Sequence, residues 1–349
     1  MKFLITGNLG YVGSAVTKLL RHRFKDSIIV GFDSAYFSHC ITGSSAPEHL
    51  LNQQIFGDIR NITPDILEDC TAIIHLAAIS NDPMGNSFEQ VTREINQDAS
   101  AQLALAASTA GILNLVFASS CSVYGVAEGG ARREGDPLNP VTAYAKSKVG
   151  TEEQLSGIDG DMTITCLRFA TACGMSSRLR LDLVLNDFVA CALSSGEISV
   201  LSDGTPWRPL IDTQDMAEAM VWAATRPPEN GGRFLIVNAG ANAANYQVRD
   251  LAAAVARHVP GTNVSINTSA AVDSRSYRVD FGLYAELAPD NQPRVTLDDS
   301  IAQLVSGMRG MGFADPDFRQ SKLIRLRVLQ DHISSGRLSG ALKWQDDRP

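Results

Sequence analysis

Apolar runs rich in β-branched residues alternate with longer stretches of helical periodicity through the first half of the chain. The runs are KFLIT (2–6), SIIVGFD (27–33), QIFGDI (54–59), TAIIHLA (71–77), NLVFAS (114–119) and MTITCLRF (162–169), and helical patterns near 11–24, 86–110 and 142–156 fall between them. Short apolar runs divided by longer amphipathic spacers predict βαβ units, hence an α/β fold with a doubly wound parallel sheet. Beyond about residue 170 the pattern loosens into mixed helices and short strands, among them ISVLS, RPLID and RFLIVN. Two regions are therefore expected, 1–170 and a smaller mixed α/β region over 171–349, with segments of the second free to return to the first. No linker divides them, so the second is expected over the carboxyl ends of the strands, where open α/β sheets bind ligands. The segment Asn81 to Ser87, rich in Asn, Gly and Pro, reads as a mobile loop after the fourth strand.

Composition narrows the classes of function. With 349 residues, 44% hydrophobic and 19% charged, the chain can bury a large core, and no run of eighteen apolar residues predicts a membrane span. The N-terminus enters a strand-and-glycine pattern directly, without the features of a signal peptide, so a cytoplasmic protein with no membrane partner is expected. A net charge of −8 argues against nucleic acid, which needs a concentrated basic surface. An anionic small molecule requires a few arginines focused in one cleft. Six scattered cysteines, with no CxxC pair and no histidines at ligand spacing, support neither a disulfide framework nor a metal site.

Candidate chemistry begins at Thr6-Gly7-Asn8-Leu9-Gly10-Tyr11-Val12-Gly13, between the first strand and the first helix. Glycines allow a tight turn and close approach to a pyrophosphate, while the helix N-terminus supplies free N–H groups. The spacing is GxxGxxG, and plain turns also collect glycines. Asp33 follows Gly13 by twenty residues at the end of the second strand, where a carboxylate accepts hydrogen bonds from an adenosine ribose and repels a 2′-phosphate, favouring NAD over NADP. Asp58, in GDIR, is placed for the adenine edge, with a surface turn as the alternative.

Tyr144 and Lys148 stand four apart, one helical turn, in a helix that Thr142 can cap two residues after Pro140. A free tyrosine titrates near pH ~10, and bringing it to neutrality takes roughly 4 kcal/mol. A neighbouring ammonium and a nicotinamide cation stabilise phenolate by about that much. A solvated YxxxK on a surface helix is the alternative.

TGNLGYVG, GDIR, HLAA (75–78), SSCSVYG, YAKSK, LRFATACG, DGTPWRPLIDTQDMAEA and DSRSYRVD together resemble the extended short-chain dehydrogenase/reductase family, in its nucleotide-sugar epimerase and dehydratase branch. The resemblance spans almost the whole chain. It implies a Rossmann-type NAD-binding domain over 1–170 and substrate binding mainly over 171–349. It implies that Tyr144 is the catalytic acid/base, that Lys148 lowers its pKa and holds the nicotinamide ribose, and that Ser120, four before the VYG tyrosine, is the catalytic hydroxyl. Cofactor contacts are implied at Gly7, Gly10, Tyr11, Val12, Gly13, Asp33, Ser34, Asp58, Ile59, Leu76, Ala77, Ala78, Asn96, Ser119 and Ala170. Substrate contacts are implied at Ser80, Cys121, Ser122, Thr171, Asn186, Arg208 and Arg275, the last two for a diphosphate, with Arg178 and Arg180 further candidates.

Relatives that eliminate water across C5 and C6 carry Asp-Glu directly after the catalytic hydroxyl residue. Here those places hold Cys121 and Ser122, so the proton donor for dehydration is missing. Relatives that invert C3 and C5 use a cysteine two before the VYG tyrosine, whereas Cys121 is three before it and is expected to pack. The resemblance then points to a nucleotide-diphosphate-sugar epimerase, acting at C4 through a 4-keto sugar with retained NAD, and to a homodimer through the helices near 86–110 and 142–156. A 4-ketosugar reductase, another dehydratase or epimerase of the family, and a non-catalytic NAD-binding regulator are the alternatives. The base and the sugar are not fixed, because the family's asparagine is missing around Phe169-Ala170-Thr171.

Overall fold

The computed structural model describes residues 1–43, 46–126, 129–269 and 276–345. Among them twelve strands alternate with helices: β1 (Lys2–Thr6), β2 (Ile28–Asp33), β3 (Gln53–Phe56), β4 (Ala72–His75), β5 (Asn114–Ser120), β6 (Thr163–Phe169), β7 (Thr171–Cys173), β8 (Glu197–Val200), β9 (Trp207–Asp212), β10 (Phe234–Ala239), β11 (Asn245–Gln247) and β12 (Asn263–Ile266). Seven of them make one parallel sheet in the order β10-β6-β5-β4-β1-β2-β3. The order reverses between β1 and β4, which opens a crevice at their carboxyl ends. The parallel sheet expected from the alternation is observed, and it is doubly wound and Rossmann-type, as the resemblance implied. RFLIVN supplies β10, so a segment from the second half of the chain completes the central sheet beside β6.

Period-two alternation distributes the strand side chains between two cores. Phe3, Ile5, Ile29, Ile74 and Val116 face the helices Gly13–Arg23 and Thr213–Thr225, whereas Leu4, Val30, Ile73, Leu115 and Phe117 face Ala99–Thr109 and Ala143–Ser156. β6 is buried along its whole length, as its run of β-branched and apolar residues requires for a central strand. A third core joins Val184–Ser194, Val248–His258 and Leu297–Gly310 beside the carboxyl ends, and Tyr11 of the glycine loop belongs to it.

Two expected elements differ. The long helix near 86–110 is interrupted at Phe88 and contains a π-helical segment, Glu94–Asp98. In that segment Asn96 bonds the N–H and carbonyl of Ile79 at 2.8 and 3.0 Å and Ser147 Oγ at 3.0 Å, contacts that bind the helix to the β4 loop. The supposed mobile loop is a short helix, Asp82–Ser87, capped by Asn81, whose side chain accepts from Met84 N–H at 2.9 Å, with Pro83 in its first turn. A Cβ at Gly85 would stand 3.1 Å from Tyr144 N, so this helix lies directly on the start of Ala143–Ser156. Among the described residues no helix is long and apolar enough to cross a membrane.

Candidate active site

A cleft of about 650 Å³ runs along the carboxyl ends of β1, β2, β4 and β5, a volume in the range of cofactor sites. One wall is the glycine loop, where Gly7, Gly10, Tyr11, Val12 and Gly13 all line the cleft. Gly7 has φ +75°, and a Cβ there would stand 2.6 Å from Ala77 N, so any other residue would push the β1 loop off the β4 loop. The helix Gly13–Arg23 starts at Val12 with no side chain capping its first N–H groups, which leaves a cradle of donors for a pyrophosphate. Asp33 closes this end. Its two oxygens accept from Leu9 N–H at 3.0 Å and Ala35 N–H at 2.7 Å, while burial pushes the carboxyl up to about 6. Ser34, Asp58, Ile59, Leu76, Ala77, Ala78 and Ala170, the other positions at which cofactor contacts are expected, also line the cleft. The chemistry of these donors and the carboxylate fits a dinucleotide.

At the other end β5 delivers Ser120, whose side chain accepts from Ser122 N–H at 3.2 Å and so caps the turn Cys121–Tyr124. Thr142 caps Ala143–Ser156 by accepting from Ala145 N–H at 3.1 Å, and its hydroxyl donates to Asp82 at 2.7 Å. The cap fixes the rotation of the helix. Tyr144 hydrogen-bonds Ser120, and Lys148 Nζ lies 5.5 Å from the Tyr144 ring centroid while donating to Ala118 O at 2.7 Å. Burial pushes the Tyr144 phenol up to about 12, against the lowering effect of the Ser120 bond. Burial likewise pulls the Lys148 ammonium down to about 7, with the Glu152 charge opposing it.

Glu152 is the residue sequence reasoning missed. Tyr144, Lys148 and Glu152 follow one another at i, i+4 and i+8 on one helix face. The Glu152 carboxylate is 2.7 Å from Arg168 Nη2, with both side chains 3% exposed, and accepts from Ser119 Oγ at 2.5 Å. Arg168 also donates to Tyr124 Oη at 3.0 Å, which in turn donates to Asn238 at 2.7 Å. This network ties the helix Ala143–Ser156 to β5, β6 and β10. The second i+4 step was the available signal. Ser119 lines the cleft, and its hydroxyl donates to Glu152. His75 is structural too: its ring nitrogens meet Thr6 at 2.6 Å and Ser100 at 2.7 Å, and burial lowers it to about 3.

Toward the substrate side, Ser80, Ser122, Thr171 and Arg208 line the cleft, and Arg208 Nη1 donates to Trp207 O at 2.9 Å. Four expected contacts do not reach it. Asn96 is buried in the Ile79 and Ser147 bonds described above. Cys121 is fully buried, its thiol donating to Arg168 O at 3.1 Å and pushed well up by burial, so it packs. Asn186 is fully buried on Tyr11 Oη, Gly174 N and Arg180 O. Arg178 pairs with Glu48 at 2.7 Å. In its place Arg180 lines the cleft, paired with Asp182 at 2.9 Å and donating to Ser80 Oγ at 2.8 Å. Arg275 lies outside the described residues.

A family model described as the NAD dependent epimerase/dehydratase family matches residues 3–240. The chain belongs to that family. It is an enzyme of this NAD-dependent class, and NAD is its cofactor. The UDP-glucose 4-epimerase of Lactobacillus helveticus is 26% identical over 245 residues, covering 64% of this chain and 72% of that protein. MoeE5, solved in complex with UDP-glucose and NAD, superposes with a TM-score of 0.75 at 23% identity, over 89% of this chain and 99% of its own. TunA, an NAD-dependent NDP-hexosamine 5,6-dehydratase, gives 0.77 at 21%, over 90% and 99%. At these identities the solved structures share the fold, and both epimerases and dehydratases stand among them.

Proposed function

We propose that the protein is a nucleotide-sugar 4-epimerase that retains NAD between half-reactions. One observation carries this reading over dehydration: the two positions after Ser120 hold a thiol buried away from the cleft and a hydroxyl, not a pair of carboxylates. Bound NAD supplies the hydride acceptor and a positive nicotinamide ring. Tyr144, as phenolate, takes the proton of the sugar 4-hydroxyl, and Ser120 orients that hydroxyl. Lys148, as ammonium, stabilises the phenolate. When the keto sugar has turned over, so that the hydride held by the cofactor would return to the opposite face of C4, the same phenol gives its proton back to the C4 oxygen. Acid–base groups so placed contribute about 10²- to 10⁴-fold in rate. Arg208, with Arg275 from the resemblance, grips the diphosphate. The name of the UDP-glucose 4-epimerase relative supports UDP-hexoses as the first substrates to try.

The same reading expects a homodimer through Ala99–Thr109 and Ala143–Ser156, supported by Leu105 standing 63% exposed on the first of these helices.

The test is incubation with a panel of nucleotide sugars, followed by NMR of product stereochemistry and absorbance at 340 nm. Epimer formation with no net change in NADH is expected. Stoichiometric loss of NADH makes it a ketosugar reductase, and an unsaturated or deoxy product makes it a dehydratase.

A further inference from the structure

The residues matched by the family model end at 240, yet the last described segment of the chain returns to the cofactor cleft. The helix Arg325–Ser334 is followed by a hairpin over 337–345, in which Leu338 bridges Trp344, Ser339 N–H donates to Lys343 O at 2.9 Å and Gln345 N–H to Arg337 O at 2.9 Å. This hairpin rests on the loop that follows Asp33. Trp344 Nε1 donates to Ser34 O at 2.6 Å, and the Trp344 ring packs 5.7 Å from Tyr36 and 5.1 Å from His332. His332 Nε2 in turn meets Tyr36 O at 2.9 Å.

The second anchor is the Leu342 carbonyl. It accepts from Tyr36 Oη and from Arg60 Nη2, while Arg60 Nη1 donates to Ala341 O at 2.9 Å. The same guanidinium grips both oxygens of Asp58 through Nε at 3.0 and 2.9 Å. Leu342 has φ +52° with its side chain fully buried. A bulky residue in the left-handed region persists only where its surroundings hold it there. The hairpin is thus a fixed part of the fold, and it touches the neighbours of both carboxylates at the adenosine end.

We propose that the hairpin 337–345 sets the geometry of the adenosine end of the NAD site, with Trp344 and Arg60 as positioning residues for Asp33 and Asp58. Trp344 holds the Asp33 loop through the Ser34 carbonyl. Arg60 couples Asp58 to the hairpin backbone. The proposal rests on the assignment of NAD to this cleft. It makes affinity for the adenosine half of the cofactor depend on residues outside the cleft, and leaves the nicotinamide half independent of them.

Calorimetric titration of the NAD-free full-length protein with ADP-ribose and with nicotinamide mononucleotide separates the two halves. Trp344→Ala is expected to weaken ADP-ribose by about tenfold, the worth of one hydrogen bond and its packing, and to leave the mononucleotide unchanged. Arg60→Gln, which frees Asp58 and the Ala341 and Leu342 carbonyls and serves if Trp344→Ala does not fold, is expected to weaken ADP-ribose alone by roughly threefold or more. A smaller loss in the folded variants, or an equal loss for both ligands, overturns the proposal. A wild-type protein that binds neither ADP-ribose nor NAD overturns the cofactor assignment and the proposal together.

Discussion

At the adenosine end of the cleft, Asp33 accepts two backbone N–H groups and Asp58 is gripped by Arg60, so both carboxylates already sit in fixed geometry. At the opposite end, Tyr144 and Lys148 are fixed as firmly, by the Thr142 cap and the Ala118 carbonyl, and both are displaced toward their neutral forms with few donors or charges to oppose burial, whereas at Asp33 two N–H donors work against it. Burial raises the phenol to about 12 and lowers the ammonium to about 7, each favouring its neutral form. The first end is organised by hydrogen bonds to the charged form of its acids. The second is organised by shape, in a dry environment that magnifies any charge a ligand brings. Both ends therefore respond to what a ligand brings, the first through the Asp33 carboxyl and the second through Tyr144 and Lys148.

Among changes that would break this contrast, the first lies at Lys148. Lys148→Met is expected to lower turnover by about 10²-fold or more, because the phenolate loses its cation. The same change should stabilise the protein. A lysine whose folded pKa is about 7 binds fewer protons than its unfolded form between about pH 7 and 10, so its contribution to stability rises with pH through that window and is unfavourable below it. Melting at pH 6 should therefore rise by a few degrees in the variant. A variant that loses activity and stability together would show that Lys148 is a structural group.

Next comes the scaffold beneath both residues. Glu152→Ala leaves the Arg168 guanidinium buried without its carboxylate, and a loss of about 3–5 kcal/mol in denaturant unfolding is expected. A loss below ~1 kcal/mol would mean that the network does not secure the helix Ala143–Ser156.

The smallest effect belongs to Asp33. Its folded pKa of about 6 lies above the ordinary 3.8, so the NAD-free protein holds an extra proton between about pH 4 and 6, and this contribution to stability is lost as pH rises through that window. Ribose hydroxyls donate to the carboxylate form. NAD affinity should consequently fall about tenfold from pH 7 to pH 5, and the fall should vanish in Asp33→Asn. An equal pH dependence in that variant would move the titration elsewhere.

Elements set by local rules were legible from sequence: the alternating strands, the glycine turn where Gly7 cannot carry a Cβ, Asp33 at the end of β2, and the Thr142 cap that aligns Tyr144 with Lys148. What escaped depends on partners far along the chain. Arg178 finds Glu48, Asn186 finds the Tyr11 hydroxyl, and Arg168 finds Glu152 across two elements, none of which has a fixed spacing to read. The helix Asp82–Ser87 was misread because Pro83 and Gly85 look like loop residues, whereas one supports a helix start and the other allows close packing on Tyr144. The hairpin on Ser34 and Tyr36 bridges some three hundred positions and has no local signature.

The most direct measurement is turnover of Tyr144→Phe on the nucleotide sugar that the wild-type protein epimerises, with bound NAD quantified in the same preparation. NAD content equal to wild type and turnover reduced by about 10³-fold is the expected result. Turnover within tenfold of wild type at equal NAD content would remove Tyr144 as the group that moves the proton, and the proposed mechanism with it.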